Sequence, residues 1–342
     1  VKRTAILLIK LVLTVLVFWA LFAKSEISLP DLLEELRAIQ IGRFVPWLLL
    51  GVGIKLVGIF ANIWRWQLLL RGQELHLDFR FLAGSFFIGR FFGIVTPGTL
   101  GLDGFKLYDS IRVTKQPVPC AAVIAIDKVI GLVGLASLLV IIFPIGWRLL
   151  PGFDESIALM VAAGATVFTA GFFAVLLAPG LTRPLTRLVP GARLRGFAEK
   201  VLEASTAYAG HREMLLGAVG LAIVGHLTTA LMYWTLLMGL SEAGVQGPGI
   251  GMVLFSALLM TSATLVGPTV GGEGIREFVF VKLLADFVSP ARSFLFGHLG
   301  FWIEKGLLGL PGGVIYAMRR DEYDGPITRA DLERVRAEAG MG

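Results

Sequence analysis

A single cysteine, Cys120, in 342 residues leaves no partner for an intrachain disulfide. The four histidines, His76, His211, His226 and His298, lie too far apart in the chain to read as a metal-ligand cluster, so spacing points to no metal and no cofactor. No Ser/His/Asp or Cys/His grouping supports covalent catalysis. No nucleotide-binding motif is present either, because no strand precedes Gly272-Glu273-Gly274 and it is therefore not a dinucleotide fingerprint. The residue types for ordinary enzyme chemistry are thin, and the expectation is a protein that is not an enzyme.

Charge is also scarce, at 16% of residues, whereas 56% are hydrophobic and the mean hydropathy is +0.78. These values lie outside the soluble globular range and predict an all-α polytopic membrane protein. The net charge of +6 resides mostly in a few loops, so it reads as membrane orientation and not as a nucleic-acid footprint.

Apolar windows long enough to span occur at about residues 4–23, 44–64, 118–146, 156–179, 213–238 and 293–318, predicting six crossings. The first follows Val1-Lys2-Arg3 but runs about twenty residues without a small-x-small cleavage site, and reads as a retained helix rather than a secretory signal. Two further segments, about 80–95 and 249–266, run into Gly/Pro/Thr breaks, Thr96-Pro97-Gly98-Thr99 and Val266-Gly267-Pro268-Thr269. A limb from Arg80 to Val95 reaches roughly 24 Å, short of the ~30 Å hydrocarbon core. If both limbs turn back as re-entrant hairpins, every loop obeys the positive-inside rule. Lys2 and Arg3, the Arg65/Arg71/Arg80 loop, Lys106 to Lys115, the strongly basic 183–212 loop and Arg319-Arg320 then share the cytoplasmic side. Both termini are expected there, in the cytoplasmic inner membrane.

The two halves repeat. Gly101-Leu102-Asp103-Gly104-Phe105-Lys106 and Gly271-Gly272-Glu273-Gly274-Ile275-Arg276 carry the same glycine, acid, glycine, base order about 170 residues apart. Gly53 to Trp66 resembles Gly220 to Trp234, and Ile126-Asp127-Lys128 resembles Ile303-Glu304-Lys305. The expected organisation is one transmembrane domain, residues 1–320, with repeat units at about 44–146 and 213–318 in inverted topology. Residues 4–23 precede the units, 156–179 link them, and 321–342 form a cytoplasmic tail.

A backbone break in hydrocarbon is tolerated only inside protein or beside a wet cavity. The glycines of each motif are expected to precede a helix whose free N–H groups, with Lys106 or Arg276 one turn on, form a seat for phosphate or carboxylate. The plainer alternative, in which glycines permit close packing and bases mark topology, stays open. Asp127, Lys128, Glu304 and Lys305 are ionisable groups in apolar helices, and neighbours about 100° apart on a helix are not expected to pair with each other. Their expected partners are the hairpin charges Asp103, Lys106, Glu273, Arg276 and Glu277, either as a structural ion-pair network or in substrate or proton coupling. Arg90 and Lys55 sit deep enough to line the cavity. Arg65, between Trp64 and Trp66, reads as an interfacial anchor, and His226 as a hydrogen-bonded core residue.

The run Arg65-Trp66 with Leu68-Leu69-Leu70, the Pro97-Gly98 to Asp103 turn, Asp127-Lys128 and above all Gly271-Gly272-Glu273-Gly274-Ile275-Arg276-Glu277 resemble the flippase-like transmembrane region of lysylphosphatidylglycerol synthases. That family includes the membrane part of the multiple peptide resistance factor. Leu102, where many members carry glycine, and Lys128, where arginine is usual, depart from its pattern. The resemblance implies translocation of lipid between leaflets by a stand-alone member. The stretch after Arg320 is too short for an aminoacyl-transferase domain.

The expected function is a flippase whose anionic, phosphate-bearing lipid is held between the two hairpin tips by Lys106 and Arg276, with Asp103, Glu273, Glu277, Asp127, Lys128, Glu304, Lys305, Arg90 and the glycines Gly101, Gly104, Gly271, Gly272 and Gly274 around it. Three rivals stay open: a polyprenyl-phosphate-glycan flippase, an enzyme acting on a lipid phosphate, and a scaffold for a lipid-modifying enzyme. The expected partners are a membrane phospholipid or other anionic lipid, with such an enzyme or further copies of the chain compatible, and no nucleic acid.

Overall fold

The computed structural model describes residues 2–25, 27–94, 100–146, 155–177, 195–196, 208, 212–241, 247–266, 269 and 272–323. The turn at Thr96 to Thr99, Gly271, most of the basic 183–212 loop and the tail beyond Tyr323 lie outside them. Every regular element among the described residues is helical.

In chain order these are α1 (Lys2–Lys24), α2 (Leu29–Arg37), α3 (Ile41–Arg71), α4 (Phe79–Phe92), α5 (Leu100–Thr114), α6 (Pro117–Gly146), α7 (Glu155–Leu177), α8 (Arg212–Leu240), α9 (Ile250–Val266), α10 (Ile275–Leu283), α11 (Pro290–Phe301), a π-helical turn (Trp302–Leu307), α12 (Leu310–Met318) and α13 (Arg320–Tyr323). α3, α6 and α8 are long and apolar enough to cross a bilayer. α4 has 14 residues and α9 has 17, about 21 and 26 Å, too short to cross the ~30 Å core upright. α4 packs on α5, and α9 on α10.

The expected sixth crossing, 293–318, is not one helix. Its chain runs as α11, the π turn and α12, with Glu304 and Lys305 on the turn. A π turn widens the backbone locally and recurs at functional positions in membrane and soluble helices alike.

Long apolar helices gain little by hiding from lipid, so their contacts depend on small residues that let backbones approach. The centre of the molecule is the crossing of α3 and α8. A Cβ at Gly58 would strike the Thr228 hydroxyl, and one at Gly225 would lie 2.9 Å from Asn62 Nδ2. These two glycines occupy corresponding places in the sequence repeat, and each accepts a side chain from the other helix. Similarly, a Cβ at Gly312 of α12 would meet the Phe87 carbonyl of α4, and one at Gly300 the Tyr233 ring.

Two cores flank the crossing. One gathers Ile63, Trp66, Leu82, Phe86, Val123 and Ile130; the other gathers Leu139, Tyr233, Phe255, Phe280 and Phe296. On the outside, Leu49, Val57, Phe60, Trp64, Ile141, Val314 and Met318 are exposed, as suits a lipid solvent.

Candidate functional site

Burying an ion in an apolar helix is costly, so interior charges must find partners. Asp127 of α6 has two. Arg65 Nε stands 2.6 Å from its Oδ1, and Lys106 Nζ stands 2.7 Å from its Oδ2, with all three side chains buried. The Lys106 ammonium also lies 4.8 Å from the centre of the Trp66 ring, within cation–π range. Arg65 is therefore a buried counter-ion and not the expected interfacial anchor; its neighbour Trp64 is the exposed residue.

Helix α5 begins at Leu100, so Gly101 and Gly104 lie inside it and not ahead of it. The first glycine motif therefore does not end at a helix N-terminus as expected. Asp103 turns instead to Lys128, 3.1 Å away, whose side chain is half accessible.

The second motif does precede a helix. Gly272 and Gly274 have φ of 77° and 78°, and α10 starts at Ile275. One donor of this helix start is used within the chain: Gly274 N–H donates to Glu277 Oε2 at 2.8 Å, so the carboxylate three residues on caps the helix. Arg276 Nη1 lies 3.4 Å from Glu277 and 3.6 Å from Glu273, with its guanidinium 4.4 Å from the Phe301 ring centre.

His298 joins this group at 3.6 Å from Glu277 Oε1. One ligand atom each from Glu273, Glu277 and His298 fall within 4.8 Å of one another, a grouping compatible with a metal ion that sequence spacing concealed. The chemistry of the set favours the cation already there. Trp302 Nε1–H donates to His298 Nε2 at 3.1 Å, which leaves the proton of the neutral ring on Nδ1, facing Glu277, and Arg276 spans both carboxylates.

The third group surrounds Glu304. Lys55 of α3 approaches Glu304 Oε1 to 3.1 Å and donates to Thr229 Oγ1 of α8 at 2.5 Å. Arg90 of α4 donates through Nη2 to the Glu304 main-chain oxygen, and its buried Nε has no hydrogen-bond partner among the described residues. Lys305 is 4.0 Å from the Glu304 carboxylate, so these neighbours approach each other on the π turn, contrary to the α-helical expectation. Of the bases around Glu304, Lys305 is the accessible one, with 37% of its side chain exposed, against 5% for Lys55.

Two cations, Lys55 and Lys305, thus approach the Glu304 carboxylate, while Arg90 binds the main-chain oxygen of the same residue. Cations outnumber carboxylates around Glu304 and around Asp127 alike, but at Asp127 both cations bind carboxylate oxygens directly, whereas at Glu304 Arg90 does not. His226 Nε2 donates to the Gly131 carbonyl at 2.9 Å, as a core histidine does.

The links from Lys55 to Glu304 and Thr229, and from His298 to Glu277, join different helices and leave no mark in the local sequence. The spacing of His298 and Trp302, one helical turn, is the one local signal available for that pair.

A family model described as the lysylphosphatidylglycerol synthase TM region matches residues 7–301. No curated protein matches the chain.

Proposed function

The chain belongs to the lysylphosphatidylglycerol synthase transmembrane-region family, and from that premise we propose that this membrane protein is a transporter, not an enzyme, that moves a phosphate-bearing lipid between leaflets. The lipid is its partner, and the headgroup phosphate is received at Arg90 and Lys305 beside Lys55. The observation that carries this assignment is the Nε of buried Arg90, which has no hydrogen-bond partner among the described residues, in a group where Arg90, Lys55 and Lys305 surround Glu304 and only the two lysines reach its carboxylate. An uncompensated buried cation is destabilising, and an anionic headgroup offsets it while accepting directional N–H donors.

Lys128 and Lys305 hold corresponding places in the repeat and are the more accessible bases, so they stand at the approach to the seat. Lys106 and Arg276 lock the hairpins in place. Support for two re-entrant hairpins in an inverted repeat comes from the shortness of α4 and α9 and from the reciprocal contacts of Gly58 and Gly225. The basic loops support a cytoplasmic-membrane orientation with both termini inside.

The test is translocation of NBD-labelled phosphatidylglycerol in proteoliposomes. Arg90→Gln and Lys305→Gln are expected to lower the rate at least tenfold while the protein still elutes as a folded species, and the lipid recovered keeps its mass. Unchanged rates in both variants overturn the seat; a lipid of altered mass overturns transport without chemistry.

A further inference from the structure

Helix α2 has no place in the transport site, and its sequence and placement point to the membrane surface. Ser28 caps it, with Pro30 in the first turn, so the helix starts sharply after α1 ends. At 23 residues α1 is about 35 Å long, enough to cross the hydrocarbon core. α2 turns 82° from the Leu11–Lys24 part of α1. Transmembrane helices tilt on average by about 20°, so α2 lies close to the membrane plane at the level where α1 emerges. Trp19, 69% exposed and about 7 Å below the end of α1 at 1.5 Å per residue, marks that level with an interfacial aromatic.

The faces of α2 are segregated. Leu29, Leu33 and Leu36 recur at helical spacing and are exposed, while Leu32 at the edge of the stripe is buried in a cluster with Ala291, Phe294 and Leu295. Asp31 and Glu34 point to the opposite side and are exposed. Rotation about the helix axis is fixed by Glu35, whose carboxylate accepts from Arg292 Nε and from Ser289 Oγ, each at 2.6 Å, at the start of α11. The leucine stripe therefore cannot turn inward.

We propose that α2 is an interfacial anchor, its Leu29/Leu33/Leu36 stripe seated at the boundary of headgroups and acyl chains, and that through Glu35 it holds the α10–α11 turn at that depth. The occupant of the stripe is lipid, and its acidic polar face makes the attachment apolar and not a recognition of anionic lipid.

The full chain carrying Cys120→Ala and either Leu33→Cys or Glu34→Cys is labelled with NBD and reconstituted into phosphatidylcholine vesicles with or without a shallow doxyl-labelled phosphatidylcholine. The label at position 33 is expected to emit to the blue of that at 34 and to be quenched at least threefold more by the doxyl lipid. Leu36→Cys, on the same stripe, repeats the measurement should the position-33 protein fail to fold. Equal, water-like emission at all three positions overturns the anchor. Blue-shifted emission without doxyl quenching also overturns it, and a disulfide formed by copper-phenanthroline oxidation between two copies of the unlabelled Leu33→Cys chain then identifies the occupant as a second chain.

Discussion

Lys55 Nζ lies 3.1 Å from Glu304 Oε1, so a helix from the first half of the chain supplies the counter-charge to an acid in the second half. The repeat-related acid, Asp127, is held by Arg65 from that same helix. Strict symmetry would have α8 supply a base to Glu304 as α3 supplies Arg65 to Asp127. Where α3 has Arg65-Trp66, α8 has Tyr233-Trp234, and α8 contributes only the Thr229 hydroxyl to Lys55. One helix therefore provides counter-charge to both acids, and a displacement of α3 would disturb both at once.

Removing Asp127 is expected to be the most damaging single change among the interior charges. Asp127→Ala leaves Arg65 and Lys106 buried without their shared anion, a loss on the order of 3–5 kcal/mol. Thermal unfolding in detergent checks it: a midpoint within a degree or two of the parent would mean that the pair is solvated.

The glycines before α10 are required by backbone conformation as well as by space. At φ near +78°, an L side chain costs roughly 1–2 kcal/mol, and a Cβ at Gly274 would come within 2.8 Å of Val17 and one at Gly272 within 2.7 Å of Thr264. Gly272→Ala and Gly274→Ala should each lower the unfolding midpoint, whereas Gly104→Ala, in open space within a helix, should not. Equal effects at the three positions would remove the distinction between the two motifs.

That distinction shows where the sequence was legible. Apolar content, the long helices and the recurrence of acid, glycine and base are local properties, and the all-helical class and the interior position of Asp127 follow from them. The phase of a glycine relative to a helix start is not local in this way, so Gly101 looked like Gly272 although it lies inside α5. Contacts between units were also illegible, because the repeat relates Asp127 to Glu304 without saying which helix faces either. Arg65 departs from expectation for a related reason: flanking tryptophans suggest an interface, but successive helical residues point about 100° apart, and only Trp64 faces outward.

Gly53 and Gly58 separate packing from propensity on one helix. A Cβ at Gly53 meets nothing within 4 Å, while at Gly58 it meets Thr228. Gly53→Ala should be neutral or stabilising by up to about 1 kcal/mol, and Gly58→Val should part α3 from α8 and lower the midpoint by several degrees. Comparable midpoints would place the helix crossing elsewhere.

Acid should loosen α2. Hydrogen bonds from the Ser28 hydroxyl and main chain to Asp31 hold its carboxyl below the usual carboxylate range. A depressed acid contributes stability that is complete above the unfolded value near 4 and is lost as pH falls through the folded value. Amide exchange in residues 29–37 should therefore show reduced protection below about pH 4. Asp31→Asn should remove that pH dependence, and protection that is flat in the parent would show that the cap does not hold the helix.

Lys106 offers the sharpest separation between a lock and a ligand. Two cations share Asp127, so Lys106→Met leaves Arg65 and Asp127 as a one-to-one buried pair, with methionine filling much of the same volume beside Trp66. Stability should fall far less than in Asp127→Ala, and translocation of labelled phosphatidylglycerol should persist within about threefold of the parent, because replacing a well-packed buried charge by a similar apolar volume is often close to neutral. Arg90→Gln, by contrast, removes a cation that no carboxylate approaches within ion-pair distance among the described residues, and should abolish transport with little change in midpoint. If Lys106→Met instead stops transport in a protein as stable as the parent, the phosphate is received at the first hairpin, and Arg90 belongs to the scaffold.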